Sequence, residues 1–406
     1  MRSTTCRCRR WAIPKRASVA DKATQLRALT AAPALLDAAH SDDLRVAELL
    51  RCEWPADLVA AATEQAVLRQ RAATKFTRAA QMLFTRDGLE QASSEGVARH
   101  RARRFASASP SVVVDLCCGI GGDLLALGTT ATTAIGIDRD EAHAVIARHN
   151  AAVYDVEAAT LVTDVRDMRL PAGGVVFVDP ARRTGAAEGA RRGGYSPALD
   201  WCLAVPVQRV AIKTAPGLDL SLVPNGWEAE FVAVGRELKE CVLWSPGWDG
   251  ARRRATMLPA SAGEEAVELV PDPALAAAPV RPPGRYLLDP SPAITRAGAV
   301  ADVAASVEAW QIDPKIAFLS ADHPLGSTYG RALVVEASLP FSLKALRGEL
   351  RRLDIGAVDI RRRGLAGDVD DIRRRLSTAG SRRATVVLTR VLDKPWSFIC
   401  TDADSP

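Results

Sequence analysis

The stretch Val112-Val113-Val114-Asp115-Leu116-Cys117-Cys118-Gly119-Ile120-Gly121-Gly122-Asp123 decides the fold. Its first half is a short β-branched run closed by an acid, the pattern of a buried strand. Its second half is a glycine-rich turn, which lets the backbone approach a ligand closely and delivers the chain to a helix whose first N–H groups suit an anion. A dinucleotide fingerprint needs glycines at 119, 121 and 124, but position 124 is Leu and the acid closes the strand, so the spacing points away from a nicotinamide cofactor. Outward from this loop, the runs at 132–138 (TTAIGID), 159–164 (ATLVTD), 174–179 (GVVFVD) and 208–213 (QRVAIK) alternate with helical segments. Continuous apolar runs between helices predict an α/β fold with a Rossmann-like parallel sheet covered on both faces. The runs 228–235 and 240–245 read as a hairpin, with 254–259 as one more strand, so the sheet is expected to end antiparallel.

Before this block, residues 17–106 are rich in Ala, Leu, Arg and Glu and predict a helical N-terminal region, with Leu44, Val46, Leu49 and Leu50 at helical spacing. A turn is expected at Asp87-Gly88, and an N-cap at Ser93 or Ser94 ahead of a basic helix. Residues 1–16 read as a basic tail. The α/β block is bounded at 107–260, a Pro/Ala-rich linker and connecting segment is expected over 261–330, and 331–400 reads as a small C-terminal α+β domain around the helix 341–353.

A chain of 406 residues and 43.3 kDa holds two or three domains of ordinary size. With 48% hydrophobic and 25% charged residues it can bury sizeable cores, which excludes wholesale disorder, collagen and coiled coil. No window approaches 18 uninterrupted apolar residues, and no apolar segment follows the basic start, so a soluble cytoplasmic protein is expected. Eight cysteines show neither a repeated CxxC spacing nor a histidine cluster, which predicts reduced thiols and no metal site; the Cys6/Cys8 pair reads as part of the tail. The net charge is only +5, yet residues 331–400 carry fifteen basic and eight acidic side chains, an asymmetry that points to a polyanion at that end. Only eight of the 53 basic residues are Lys, so arginine enrichment can equally reflect genome composition.

Further acids stand where a nucleotide-binding sheet needs them. Asp138 ends the second strand, nineteen residues after Gly119, where a carboxylate can accept hydrogen bonds from both hydroxyls of a ribose. Asp164 follows the third strand, and Asp179-Pro180-Ala181-Arg182 follows the fourth. Together these residues resemble the motifs of the class I S-adenosylmethionine-dependent methyltransferases. That resemblance implies S-adenosylmethionine as cofactor, with Asp115, Gly119, Gly121, Asp138 and Asp164 as its binding residues. It also implies that Asp179 and the Pro180 carbonyl orient a substrate amine, with Arg182 standing where amino-group methyltransferases carry an aromatic ring. A guanidinium can stack on a base or hold a phosphate, and the exchange puts an amine target in question. The loop 181–197, with Tyr195, reads either as a mobile flap offering a stacking face or as a solvated loop.

Over roughly 74–400 the order of motifs is similar to a bacterial group of class I methyltransferases with a C-terminal THUMP-like domain. A more distant similarity is to trimethylguanosine synthase, through the loop 118–122 and the segment 93–100 (SSEGVARH). In such enzymes this segment folds over the cofactor, which makes Ser94 and Glu95 its counterparts. THUMP domains are associated with RNA, so the resemblance implies RNA docking near 331–400; the arginines at 361–363, 373–375 and 382–383 could neutralise phosphates, or could form a solvated helix face. No histidine has a nucleophile or metal partner in the pattern. The expectation is therefore a methyltransferase acting on a base nitrogen of RNA, in tRNA or rRNA. The alternatives are a methyltransferase for a small molecule or protein, and a non-catalytic RNA-binding protein with a degenerate methyltransferase fold.

Overall fold

The computed structural model describes residues 21–39, 44–171, 173–182, 194–260, 265–365, 368–376 and 378–403. The basic tail, Cys6, Cys8 and most of the loop 181–197 lie outside the described residues. The chain divides into two compact units, Met1–Thr214 with Trp244–Asp249, and Ala215–Leu243 with Gly250–Pro406.

In the first unit, helices α1 (Lys22–Thr30), α2 (Pro33–Ala38), α3 (Leu44–Leu50), α4 (Ala56–Ala72), α5 (Arg86–Gln91) and α6 (Glu95–Ser107) precede the sheet. Asp87-Gly88 is not the expected turn. Thr85 caps α5, its hydroxyl accepting the Gly88 N–H at 3.0 Å, and this draws the Asp-Gly pair into the first helical turn. Then follow β1 (Val112–Leu116), α7 (Leu124–Leu127), β2 (Thr133–Asp138), α8 (Glu141–Val153), β3 (Ala158–Val162), β4 (Val175–Val178), β5 (Ala181–Arg182), β6 (Tyr195–Ser196), α9 (Leu199–Leu203) and β7 (Arg209–Thr214). Five strands stand in the order β3-β2-β1-β4-β7, every neighbouring pair parallel. The apolar residues of the central strands β1 and β4 are buried without alternation, Val113, Val114, Val175, Val176, Phe177 and Val178 among them, as strands covered on both faces require. On α6, Phe105 packs against Trp244 and Trp248 at ring-centroid distances of 6.0 and 5.0 Å.

The second unit contains β8 (Glu228–Val234), β9 (Glu237–Trp244), which ends on the Trp244 assigned to the first unit, β10 (Arg253–Leu258) and β11 (Val267–Leu269). β8 and β9 are neighbours joined through Gly235-Arg236, the expected hairpin; β10 runs parallel to β8, and β11 closes the row antiparallel. The unit continues with β12 (Tyr286–Pro290), α10 (Pro292–Ala297), α11 (Val300–Ser306), β13 (Trp310–Gln311), β14 (Leu319–Ala321), β15 (Gly330–Pro340), α12 (Leu343–Arg352), β16 (Ile355–Arg362), α13 (Val369–Leu376), β17 (Arg382–Val391) and β18 (Lys394–Asp402). Its seven-stranded sheet has the order β13-β14-β12-β15-β18-β17-β16.

One expected segment is corrected. The segment 261–330 is not a linker: β12 lies inside the same sheet as 331–400, paired with β15 from Tyr286↔Val334 to Pro290↔Gly330, because Leu287 and Leu288 are buried there. Arg296 of α10 lies 5.0 Å over the Phe231 ring of β8 and donates to the Leu218 carbonyl at 2.7 Å, which ties 215–243 to the second unit. The start and stop of α10 were present in the sequence: Ser291 as N-cap, Pro292 at the first position and Gly298 with φ +83° after the end.

Candidate active site

Parallel strands end together, so the residues just past β1, β2, β4 and β7 gather at one edge of the first unit's sheet. The glycine-rich loop begins there with Cys117, Gly119 and Gly121 all at positive φ, +60°, +53° and +84°. Gly119 needs only that backbone freedom, since an added Cβ would meet nothing within 4 Å. Gly121 answers to packing: a Cβ would come 3.2 Å from the Ala147 backbone on α8. Buried Asn150, also on α8, holds the loop by donating to the Ile120 and Leu83 carbonyls at 2.9 and 3.0 Å while accepting the Leu83 N–H at 2.8 Å. An amide satisfied in this way fixes two separate segments at once.

Asp115 and Asp138 sit on neighbouring strands with different surroundings. Asp138 is well supplied: Oδ2 accepts the Gly119 N–H and Oδ1 the Asp140 N–H, both at 2.9 Å, with the His143 Nδ1 3.7 Å from Oδ1. Burial opposes its charge, but the pairing with His143 and these two N–H donors outweigh it and hold the carboxyl below its usual range; the same pairing raises His143. Asp115 is buried, and neither of its oxygens has a hydrogen-bond partner among the described residues. Burial first, then the Asp179 carboxylate, drive its affinity for a proton far above normal; the charges of Arg101 and Lys213 oppose the rise without cancelling it, and Asp138 adds to it. Arg101 is itself committed to an ion pair with Asp123 and lies 4.4 Å over the Phe177 ring. An unsatisfied carboxylate in a protein interior is costly, and such a cost points to a ligand of opposite charge.

Asp179 lies at the same edge, its N–H bonded to the Leu116 carbonyl at 3.0 Å. Its Oδ2 accepts from the Lys213 ammonium at 2.8 Å. Pro180 is buried beside it. The Arg182 backbone pairs with Tyr195 across β5 and β6, whereas the Arg182 side chain lies outside the described part of the structure. Tyr195 is buried and offers no exposed stacking face.

Two expected contributors, Asp164 and Glu95, have carboxylates engaged by other protein groups. Asp164 caps the turn after β3 and its carboxylate is gripped by Arg166, Nε at 2.9 Å and Nη2 at 2.6 Å, which depresses its proton affinity strongly. Ser94 is the N-cap residue of α6 but makes no side-chain cap bond. Glu95 receives the Thr77 N–H and hydroxyl at 2.7 and 2.8 Å, the Tyr154 hydroxyl at 3.0 Å and Arg99 at 2.9 Å, so it ties α6 to the helical region. The thiols of Cys117 and Cys118 are pushed well up, chiefly by burial, and are unsuited to nucleophilic attack. Sequence reasoning missed Lys213, Asn150 and the Arg101–Asp123 pair. A lysine closing the apolar run QRVAIK was a usable signal; the other two depend on contacts between distant segments.

The arginine clusters of the second unit are largely matched by acids. Arg373 pairs with Asp370, Arg374 and Arg375 with Asp371, Arg361 with Asp359, Arg363 with Asp289 and Arg382 with Glu336. Among the described residues, no group of three or more His, Cys, Asp or Glu is placed to hold a metal ion, and no helix is long and apolar enough to cross a membrane.

Two curated proteins from two strains of Mycobacterium tuberculosis, both named as uncharacterized S-adenosylmethionine-dependent methyltransferases, are 39% identical over 353 residues, 83% of this chain and 95% of theirs. The chain belongs to the S-adenosylmethionine-dependent methyltransferases. Within this methyltransferase, residues 110–254 match the family model of RNA cap guanine-N2 methyltransferase, and 330–402 match that of THUMP domain-like. The crystal structure of a protein from Porphyromonas gingivalis W83, described as a putative methyltransferase, has the same fold, with a TM-score of 0.69 and 21% identity over 87% of this chain and 92% of that one. The residues present fit the cofactor: a buried carboxylate without hydrogen-bond partners beside a glycine-rich loop suits a ligand that carries positive charge.

Proposed function

We propose that this methyltransferase modifies a base nitrogen of RNA, in tRNA or rRNA. The observation that carries the chemistry is Asp179, held at the edge of the sheet with one oxygen paired to Lys213 and the other without a hydrogen bond among the described residues. That Oδ1 can accept an N–H from an exocyclic amine, and the Pro180 carbonyl is the neighbouring second acceptor. A fixed pair of acceptors orients the nitrogen lone pair, which is the positioning such a transfer needs. When bound, S-adenosylmethionine supplies an electrophilic methyl group on a sulfonium. Asp115 would take its cationic end, the backbone of Gly119 and Gly121 would line it, and Asp138 would serve the ribose hydroxyls. Asp164 has the weakest support as an adenine contact, since Arg166 already occupies both its oxygens.

RNA as substrate is supported by the two family models that match, one named for an RNA-directed activity and one for a domain associated with RNA. The ion pairing of the arginine clusters favours a second reading, in which the C-terminal unit is structural and the substrate is a small molecule or protein. Mass spectrometry of nucleosides from cells with and without the gene separates the two: a methylated nucleoside that disappears supports RNA, and an unchanged profile sinks it. Asp179→Ala is expected to bind S-adenosylmethionine as the wild type does and to lose transfer by about 100-fold or more. Normal turnover in that variant would remove Asp179 from the reaction.

A further inference from the structure

We propose that Lys213 is a positioning residue of the transfer reaction, one that fixes Asp179 so that a single oxygen faces the substrate amine. The inference rests on the reading of Asp179 given above. Lys213 lies near the end of β7, directly beside β4, where Val178 pairs with Ile212. The next residue along each strand is therefore Asp179 on one side and Lys213 on the other.

The Lys213 ammonium donates to Asp179 Oδ2 at 2.8 Å and to the Gln91 carbonyl at 3.2 Å, and its side chain is 11% exposed. Gln91 is the last residue of α5, so the two acceptors come from separate elements and the long, flexible side chain is held from both sides. Burying an ammonium is costly, and the two bonds offset that cost only in this one arrangement. Asp179 itself remains 29% exposed.

One consequence follows for Asp179. A carboxylate turns over a broad range about its terminal torsion; with Oδ2 tied to Lys213, Oδ1 has one direction left.

The test compares full-length wild type, Lys213→Met and Lys213→Arg. Each is given radiolabelled S-adenosylmethionine and total RNA extracted from cells lacking the gene, and calorimetry measures cofactor affinity. Lys213→Met should bind the cofactor within about threefold of wild type and keep KM for RNA within about threefold, while kcat falls about 100-fold. Lys213→Arg should recover kcat to within about tenfold, because it restores a cation beside Oδ2. Unchanged kcat in Lys213→Met would overturn the inference.

Removing one charge of a pair can cost folding by itself, so a second measurement uses Asp179→Asn alone and combined with Lys213→Met, which removes both charges. If Lys213 acts through Asp179, the double variant turns over as slowly as Asp179→Asn and no slower. A further loss of about tenfold would assign Lys213 an independent role and defeat the proposal. A wild type that binds S-adenosylmethionine but methylates none of this RNA defeats the substrate reading beneath it; an active wild type with an equally active Lys213→Met defeats only the role of Lys213.

Discussion

Asp115 and Arg331 are both charged side chains taken largely out of water within a sheet, and their surroundings are opposite. Arg331, on β15, gives Nε and Nη2 to Asp402 at 2.5 and 2.9 Å, Nη1 to Asp359 at 3.2 Å and Nη2 to the Thr385 hydroxyl at 2.8 Å. These partners come from β18, β16 and β17, so one guanidinium ties four strands of the seven-stranded sheet. Asp115 has no hydrogen-bond partner among the described residues, and the cations nearest to it are committed, Lys213 to Asp179 and Arg101 to Asp123. A charge satisfied on every side serves the fold. A charge left short serves a ligand, and the stability lost there is the cost of a site ready for one.

Asp115→Asn should break the contrast most sharply. The buried carboxylate is the group that meets the cofactor's positive charge, so calorimetric affinity for S-adenosylmethionine should fall by about 100-fold or more. The cofactor-free protein should change in the other direction. Because the folded-state pKa of Asp115 is raised, the folded state binds a proton more tightly than the unfolded one, and its stability falls as pH rises from 3.8 toward the raised value. The asparagine variant escapes that loss, and should melt higher than wild type at pH 8. A lower melting temperature would show that Asp115 is satisfied after all. Arg331→Met tests the other side: it leaves Asp402 without its cation, while Asp359 keeps Arg361, and should cost about 2 kcal/mol in denaturant unfolding, with cofactor affinity unchanged. A neutral result would make Arg331 dispensable to its sheet.

The same contrast explains what could be read from the sequence. The parallel sheet was legible because both of its faces are buried, so β1, β4 and β7 appear as unbroken apolar runs; the acids closing those runs marked the edge where they meet. Asp115 and Asp179 therefore carried their own signal. Asp164 and Glu95 stood at equally suggestive positions, yet Arg166 and Thr77 claim them, and nothing in their local pattern announces that. β12 was hidden by the prolines around it: composition suggested a linker, while the burial of Leu287 and Leu288 depends on β14 and β15, which lie further along the chain. The arginine run 373–375 shows what charge counting leaves out: Asp370 and Asp371, one helical turn before, pair with it, so the basic excess of 331–400 is not concentrated on this helix.

That neutralisation gives a smaller effect to look for. Asp370→Asn with Asp371→Asn frees Arg373, Arg374 and Arg375 while costing α13 two acids in its first turn. If the second unit docks RNA through this face, fluorescence anisotropy with bulk tRNA should show binding several-fold tighter and more sensitive to salt, the slope steepening by up to about one for each additional phosphate neutralised. Affinity and salt slope both unchanged would confine α13 to a structural role and strengthen the reading in which the unit does not meet RNA there.

The smallest effect concerns Asp138, which lies between the two extremes: it faces the cofactor loop, yet is satisfied. Its pairing with His143 raises the imidazole and lowers the carboxyl, so the pair is complete over a window of pH. On the acid side, its contribution is lost as pH falls below 3.8 through the depressed value of Asp138. On the alkaline side, it is fully present below pH 6.5 and is lost as pH rises through the raised value of His143. His143→Gln should therefore lower stability by less than about 1 kcal/mol near pH 5.5, and by progressively less as pH rises through the raised value of His143. Melting curves of both proteins at pH 5.5 and in steps up to pH 9 decide it. A difference that persists unchanged at pH 9 would show that His143 contributes through packing or through Thr85, whose hydroxyl lies 3.3 Å from Nε2, rather than through the charge of Asp138.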